Sequence, residues 1–300
     1  MRTPFTGLGT ALVTPFTSTE ELDEKAVRSL ARRQVEAGVH FLVPCGTTGE
    51  SPTLSSREKR RIVELVVEEA GGRVPVLAGA GGYDTRAVVE QARAMHEAGA
   101  QGLLSVTPYY NKPTPEGLFR HYQAIAEATP LPIVVYNVPG RTGCNVDPAT
   151  LLRLASLPTV VAVKEASGNM AQIGEICEAV PPEFIVLAGD DAMTLPAMAV
   201  GARGVVSVVS NEAPSEMARL VEAAEANDFA RARELLKRLF PLMTANFVES
   251  NPIPVKAAMA RMGLLEEVWR LPLAPPREAT RERLDRALSS LGLLPAVARG

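Results

Sequence analysis

The fold is decided by the stretch Val160-Val161-Ala162-Val163-Lys164, an apolar run that ends in a lysine. A short run rich in β-branched residues is typical of a strand buried on both faces of a parallel sheet. At the end of such a strand, desolvation disfavours the ammonium form of lysine, and a neutral amine is a nucleophile that forms imines with ketones. The other five lysines lie in charged helical stretches, in a proline-flanked loop or at a helix start, so Lys164 is the chemical candidate.

Seven further apolar runs alternate with amphipathic helical windows. Strands that alternate with helices predict a parallel sheet, and eight such units match a (β/α)8 TIM barrel. A doubly wound sheet, the alternative, would need fewer strands. Several helical windows end in Ala-Gly, and glycine is expected in the left-handed conformation after a last helical turn. The eight predicted strands are 9–13, 41–43, 74–78, 102–106, 133–136, 160–164, 184–188 and 204–208.

The sequence changes character after the eighth predicted strand. From about Ala213 onward there are no further strand signals, and prolines divide the chain into helical segments. We therefore predict an α/β protein in two parts, with the catalytic barrel in residues 1–225 and a small helical domain in residues 226–300.

The composition excludes several classes of protein. The chain is 46% hydrophobic with a net charge of -3, so neither nucleic-acid nor membrane-surface binding is expected. No signal peptide or membrane span is expected, and three widely spaced cysteines fit a reducing cytoplasm. Among them, Cys45 is expected to be a buried structural thiol. The three histidines form no metal-binding pair, so no metal site is predicted.

Polar residues follow the predicted strands at the end where barrel enzymes place their active sites. The Gly46-Thr47-Thr48-Gly49 turn can hold a carboxylate through its backbone N–H groups, or can simply connect a strand to a helix. Tyr136 ends the strand beside that of Lys164 and is either a proton-transfer group or a packed rim residue. Arg141 is either a carboxylate clamp or a solvated loop residue.

Together these residues predict one chemistry. Lys164 takes a 2-oxo acid as an imine, whose enamine then attacks an aldehyde, while the tyrosine moves protons with hydroxyl neighbours such as Thr47 and Tyr110. The Asp190-Asp191 pair is expected to cap the following helix rather than to bind a metal ion. Side-chain alternation places Glu165 on the opposite side of the strand from Lys164.

Several motifs in order resemble the dihydrodipicolinate synthase family of the class I pyruvate aldolase and lyase superfamily. The similarity covers essentially the whole chain, and several ordered motifs are more specific than any single one. The motifs are Gly46-Thr47-Thr48-Gly49-Glu50-Ser51, Thr107-Pro108-Tyr109-Tyr110-Asn111-Lys112-Pro113, Tyr136-Asn137-Val138-Pro139-Gly140-Arg141-Thr142-Gly143, Lys164 and Phe247-Val248-Glu249-Ser250-Asn251-Pro252-Ile253-Pro254-Val255-Lys256.

The resemblance implies a role for each site residue. Lys164 would form the Schiff base with pyruvate, so no separate cofactor is needed. A proton relay would consist of Thr47, Tyr136 and a Tyr110 supplied by a neighbouring subunit of a homotetramer, built as a dimer of dimers. Contacts to pyruvate would come from Thr48 and Val206, and Arg141 would bind the carboxylate of aspartate 4-semialdehyde. The implied product is 4-hydroxy-tetrahydrodipicolinate, the first committed intermediate towards diaminopimelate and lysine.

One departure from the family pattern concerns feedback by lysine. Lysine-inhibited members carry Asn and Glu at the positions of Tyr83 and Ala87, and often a polar residue such as His at those of Ser56 and Lys59. We therefore expect weak or absent lysine feedback. The alternatives are a sister aldolase of the N-acetylneuraminate lyase or 2-keto-3-deoxy sugar-acid type, and a non-catalytic 2-oxo-acid-binding protein.

Overall fold

Eight parallel strands form the centre of the molecule in a computed structural model that describes residues 3–294. Neighbouring strands follow one another around the sheet from β3 through β8 to β1 and β2. The strands are β1 Gly7–Ala11, β2 Phe41–Val43, β3 Leu77–Gly79, β4 Gly102–Val106, β5 Ile133–Asn137, β6 Val160–Glu165, β7 Ile185–Ala188 and β8 Gly204–Ser207.

The sheet closes on itself between β2 and β3. The Leu42 N–H donates to the oxygen of Pro75 at 3.0 Å, and the Gly79 N–H donates to the oxygen of Pro44 at 2.9 Å. A parallel bridge also pairs Leu42 with Val76. These contacts complete the ring of strands, and the predicted (β/α)8 barrel is confirmed.

The ends of two predicted strands were wrong by a few residues. The first strand is 7–11 rather than 9–13, because the Val13 N–H leaves the ladder and donates to Asn211 Oδ1 at 3.2 Å. The third strand is 77–79 rather than 74–78, because Pro75 lacks a donor and Val76 makes only the isolated bridge.

Helices connect the strands and are capped by the residues that precede them. Before α2, the Ser55 and Glu58 side chains form a reciprocal capping box. Glycine in the left-handed conformation follows α2 at Gly71, with φ of 55°. The helices are α1 Glu24–Glu36, α2 Ser56–Ala70, α3 Thr85–Glu97, α4 Pro115–Ala128, α5 Pro139–Thr142, α6 Pro148–Leu154, α7 Met170–Ala179, α8 Thr194–Ala199, α9 Pro214–Glu225, α10 Phe229–Ala245, α11 Ile253–Arg261 and α12 Glu278–Leu291.

The C-terminal helices share a continuous apolar core with the outside of the barrel. Leu239 of α10 and Leu288 of α12 are fully buried in the same cluster as barrel residues such as Leu8 and Val163. The predicted boundary between residues 225 and 226 stays a prediction. Residues 1–2, at the start of the predicted barrel part, and residues 295–300, at the end of the predicted helical part, lie outside the described residues.

A second apolar cluster fills the inside of the barrel. It contains residues from all eight strands, among them Phe41, Leu104, Tyr136 and Val206. No helix within residues 3–294 is long and apolar enough to cross a bilayer.

Candidate active site

Lys164 and Tyr136 lie side by side at the C-terminal end of the barrel. The two residues are direct partners in the register between β5 and β6. The Nζ atom of Lys164 lies 4.1 Å from the centre of the Tyr136 ring, and the two residues are 5% and 6% exposed. A primary amine is therefore held in a largely dehydrated site beside a phenol, as the strand pattern predicts.

Gly189 leaves room for the lysine side chain. It follows β7, the other neighbour of β6, and a Cβ atom at this position would lie 3.1 Å from Lys164 Cε and 2.6 Å from Ala166 Cβ. A larger residue would therefore push against the stem of Lys164. No pattern in the sequence signals this requirement.

The loop after β2 carries the two threonines. Its backbone turns back on itself, because the Gly49 N–H donates to the Gly46 oxygen at 3.1 Å and the Glu50 N–H donates to the Thr47 oxygen at 3.1 Å. Thr48 is buried, and its Oγ1 accepts a hydrogen bond of 2.9 Å from Asn251 Nδ2. A residue beyond the barrel thus fixes one of the predicted pyruvate-binding side chains.

The same loop is anchored by a buried ion pair. Glu50 has left-handed backbone geometry, with φ of 52°, and its Oε1 lies 2.5 Å from Lys256 Nζ. Both side chains are fully buried. Its other oxygen accepts from the Arg270 N–H at 3.2 Å. The sequence predicts only that Lys256 stands at a helix start, yet it is more deeply buried than Lys164 and is paired with Glu50.

A cavity of about 240 Å³ opens at this end of the barrel. Its lining includes Thr47, Tyr136 and Arg141, which the sequence predicts to act together, and also Tyr109. Val206 lies on β8 within the barrel-interior cluster that also contains Tyr136. This volume is below the roughly 300–1,000 Å³ of pockets for drug-sized ligands, so it suits a smaller molecule.

Arg141 is exposed at the rim of this cavity. It lies in the short helix α5, and its Nη2 donates to the Asn251 oxygen at 3.3 Å. Asn251 therefore contacts both Thr48 and Arg141. Its only signal in the sequence was its place in the C-terminal family motif, which gave it no role.

Tyr110 does not join the other site residues within this chain. It is 93% exposed and has left-handed backbone geometry, with φ of 71°. The preceding residue, Tyr109, instead packs edge-on against Tyr83 with ring centres 5.3 Å apart. Burial raises the pKa of Tyr109 above its ordinary value.

A second cavity of about 480 Å³ adjoins the first. Lys59, Gly81 and Tyr109 line both cavities, and the second also contains Tyr83 and Ala87. Lys59 was expected on a charged helical face, yet it is half-buried, and burial lowers its pKa. Helix α2 thus turns part of its charged surface towards the cavities.

The residues predicted to be structural have structural contacts. Cys45 is buried, and desolvation raises the pKa of its thiol to about 12, which keeps it protonated. Asp190 caps a following turn through the Ala192 N–H at 2.9 Å. Asp191 accepts from the N–H groups of Val208 and Val209. Burial, the largest effect, raises the pKa of Asp191 to about 6.

Comparison with known proteins agrees with this arrangement. The model of the Dihydrodipicolinate synthetase family matches residues 4–291. The chain belongs to this family. Two relatives in this family are named 4-hydroxy-tetrahydrodipicolinate synthase. That of Koribacter versatilis is 51% identical, with 96% of each chain covered. That of Chlorobium chlorochromatii is 50% identical, with 98% of this chain and 100% of the relative covered.

Solved structures of the dihydrodipicolinate synthetase family have the same architecture. Dihydrodipicolinate synthase from Aquifex aeolicus superposes with a TM-score of 0.95 at 42% identity, covering 97% of this chain and 99% of the other. The Acinetobacter baumannii enzyme complexed with pyruvate gives 0.95 at 40% identity, covering 96% and 99%. The predicted family, the barrel with C-terminal helices and the assignment as an enzyme are therefore confirmed, and the synthase is supported over the sister aldolases.

Proposed function

We propose that this chain condenses pyruvate with L-aspartate 4-semialdehyde to form 4-hydroxy-tetrahydrodipicolinate, the first committed step towards diaminopimelate and lysine. The observation that carries the proposal is the buried amine of Lys164, 4.1 Å from the Tyr136 ring. Two relatives at 50–51% identity bear the synthase name, which supports the choice of reaction.

Lys164 supplies the nucleophile of the first step. Its amine attacks C2 of pyruvate, and the resulting carbinolamine loses water to give an imine. The imine withdraws electrons from C3, so loss of a C3 proton gives an enamine. Because pyruvate is held covalently by the protein, the reaction needs no separate cofactor.

The enamine then forms the new carbon–carbon bond. Its C3 attacks the aldehyde carbon of the semialdehyde, and the aldehyde oxygen takes up a proton to become the hydroxyl group. The amino group of the former semialdehyde next attacks the imine carbon, which closes the ring and releases Lys164 as a free amine. The water lost at imine formation is the only small molecule released.

The remaining residues bind the substrates and move the protons. Thr48, fixed by Asn251, and Val206 contact pyruvate, and Arg141 at the rim pairs with the carboxylate of the semialdehyde. Tyr136 and Thr47, which line the same cavity, transfer protons to and from the reacting oxygens.

Tyr110 completes the relay from a neighbouring subunit of a homotetramer, arranged as a dimer of dimers. The exposure of Tyr110 supports this proposal, because the residue is 93% exposed to solvent in the single chain. One solved relative, 46% identical, is described as a monomeric variant, so the assembly has to be measured. Sedimentation should give a tetramer, and Tyr110→Phe should lower kcat without dissociating it. A monomer with full activity would contradict this part of the proposal.

The proposed location is the cytoplasm. Cys45, Cys144 and Cys177 are free thiols, which fits a reducing compartment. Cell fractionation with antibodies against the chain tests this proposal, and recovery in the periplasmic or secreted fraction would contradict it.

Borohydride trapping tests the proposed chemistry. Incubation with pyruvate and sodium borohydride should add one reduced pyruvate unit, and peptide mass spectrometry should locate it on Lys164. The Lys164→Ala variant should not be labelled, whereas Lys237→Ala, which removes an exposed lysine from α10, should be labelled like the wild type. Absence of an adduct on the wild type would refute the imine mechanism.

A panel of aldehydes then tests the acceptor. With pyruvate as the co-substrate, the wild type should consume aspartate 4-semialdehyde, whereas sugar aldehydes and hydroxy-aldehydes should react far more slowly. A preference for N-acetylmannosamine or for a sugar-acid aldehyde would assign the chain to a sister aldolase instead.

A further inference from the structure

Glu165 is a buried carboxylate directly behind the imine-forming lysine. It is 2% exposed and ends the same strand, β6, so its side chain points out of the barrel while that of Lys164 points in. On β5 the same alternation separates Tyr136, inside, from Asn137, outside. The register pairs Tyr136 with Lys164 and Asn137 with Glu165. The two inner residues and the two outer residues therefore share the same two strand ends.

Nitrogen donors surround the Glu165 carboxylate. Asn137 Nδ2 donates to Oε2 at 2.8 Å, the Ser167 N–H donates to Oε1 at 2.7 Å, and Gln172 Nε2 lies 3.4 Å from Oε2. Within residues 3–294, no lysine, arginine or histidine forms a salt bridge with Glu165. Both oxygens of the Glu165 side chain therefore act as hydrogen-bond acceptors.

The hydrogen bonds continue to the segment that follows α5, the short helix of Arg141. Asn137 Oδ1 accepts from the Val146 N–H at 3.0 Å, and Asn137 Nδ2 also lies 2.9 Å from Asn145 Oδ1. Asn145 Nδ2 in turn donates to Gln172 Oε1 at 2.9 Å. We call Glu165, Asn137, Asn145 and Gln172 the amide cluster. It joins the end of β5, the end of β6, helix α7 and the segment that follows α5.

We propose that Glu165, held by Asn137, is a positioning residue for the imine chemistry of Lys164. Neither outer residue touches the cavity, but each fixes the backbone of a strand end whose preceding residue does the chemistry. A carbonyl carbon must approach the amine within a narrow range of directions, and small displacements of a reacting group cost much of the rate. From the outer side of the barrel, the amide cluster thus fixes the distance between the Lys164 amine and the Tyr136 phenol. This inference rests on the proposed function.

Glu165→Gln tests the role with little change in volume. A glutamine amide carries one donor group, so either Asn137 or Ser167 would face another N–H instead of an oxygen. We expect kcat to fall by about 10–100-fold, with the KM for pyruvate changing less than about threefold, because binding contacts are kept while the reacting geometry is lost. The rate of borohydride-trapped adduct formation with pyruvate alone should fall by a similar factor.

The reciprocal exchange is the rescue variant. Combining Glu165→Gln with Asn137→Asp lets the new glutamine amide donate to the new carboxylate, while the glutamine oxygen still accepts from the Ser167 N–H. Asn145, whose oxygen accepts from Asn137 in the wild type, turns its amide to donate to the new carboxylate instead. We expect the double variant to recover kcat to within about fivefold of the wild type, because one donor–acceptor pair is restored with its direction reversed. A role limited to folding would not produce such a recovery in kcat per folded subunit.

Glu212→Gln is the matched control. Glu212 is also a fully buried carboxylate that accepts from an asparagine amide, Asn246 Nδ2, at 2.6 Å. Burial raises the pKa of the Glu212 carboxyl well above its usual range. Because Glu212 lies after β8 and outside the amide cluster, the kcat and the rate of borohydride trapping of the Glu212→Gln variant should match the wild type within twofold.

The outcomes separate this inference from the proposed function. If the wild type forms no pyruvate adduct, the proposed function fails. If the wild type is labelled and Glu165→Gln is labelled equally fast with unchanged kcat, only the positioning role is overturned. Should Glu165→Gln fail to fold, the double variant still decides: near-wild-type kcat supports the role, and a folded double variant without activity overturns it.

Discussion

The ion pair between Glu50 and Lys256 offers a sharp test of how the C-terminal helices support the barrel. Lys256→Met keeps the length and apolar stem of the side chain but removes its charge. Glu50 then remains fully buried with the Arg270 N–H as its nearest donor, at 3.2 Å. Removal of one partner from a buried pair typically costs about 3–5 kcal/mol, because the other charge is left unpaired. We expect a loss of this size.

The double variant Glu50→Gln with Lys256→Met completes the test. It removes both charges and leaves an oxygen for the Arg270 N–H, so at least about 2 kcal/mol of the loss should be recovered as coupling between the two sites. Urea unfolding at a fixed protomer concentration measures each free energy of unfolding. The exposed Lys237→Met should change it by less than about 0.5 kcal/mol. A loss below about 1 kcal/mol for Lys256→Met, or strictly additive losses in the cycle, would show that the buried pair does not hold the loop to the C-terminal helices.

Three further predictions concern pH, packing and regulation. Burial lowers the pKa of His121 from 6.5 to about 4. Between these two pH values the unfolded chain binds a proton that the folded chain does not. The free energy of unfolding should therefore fall by roughly 3 kcal/mol as the pH is lowered from 6.5 to 4. In His121→Gln the free energy of unfolding should depend less on pH, and the same pH dependence in the variant and the wild type would contradict the lowered pKa of His121. Gly204→Ala should abolish soluble protein or cost at least about 2 kcal/mol in urea unfolding, because its Cβ would lie 1.9 Å from a backbone oxygen of β1; wild-type stability would refute the clash. With Tyr83 and Ala87 in the second cavity, millimolar lysine should leave the initial rate of condensation nearly unchanged, and strong inhibition would contradict that expectation.

The strand order and the central pair of the site could be predicted because both depend on local patterns. Parallel strands buried on two faces appear as continuous apolar runs, so all eight were found from the sequence. The positions of Lys164 and Tyr136 at neighbouring strand ends follow from counting βα units. Two strand boundaries were wrong because proline and loop hydrogen bonds, rather than hydrophobicity, decide where the ladder ends.

The contacts between distant parts of the chain could not be predicted. Lys256 has an ordinary sequence environment, and its burial depends on Glu50, which lies 206 positions earlier. Asn251 is likewise defined by contacts with Thr48 and Arg141 that arise only when the C-terminal helices pack on the barrel. Local periodicity carries no information about such partners. The half-buried position of Lys59 was missed for the same reason.

The attachment of the loop at Thr48 and Glu50 to Asn251 and Lys256 has a consequence for synthesis of the protein. A chain leaves the ribosome from its N-terminus, and its folded units form as they emerge. When β8 has emerged, all eight strands are available, but the anion at Glu50 still has no cation and Thr48 has no amide donor. The loop at Thr48 and Glu50 is therefore among the last parts of the protein to mature. A nascent or prematurely terminated chain would carry Lys164 while the loop at Thr48 and Glu50 is still without its C-terminal partners.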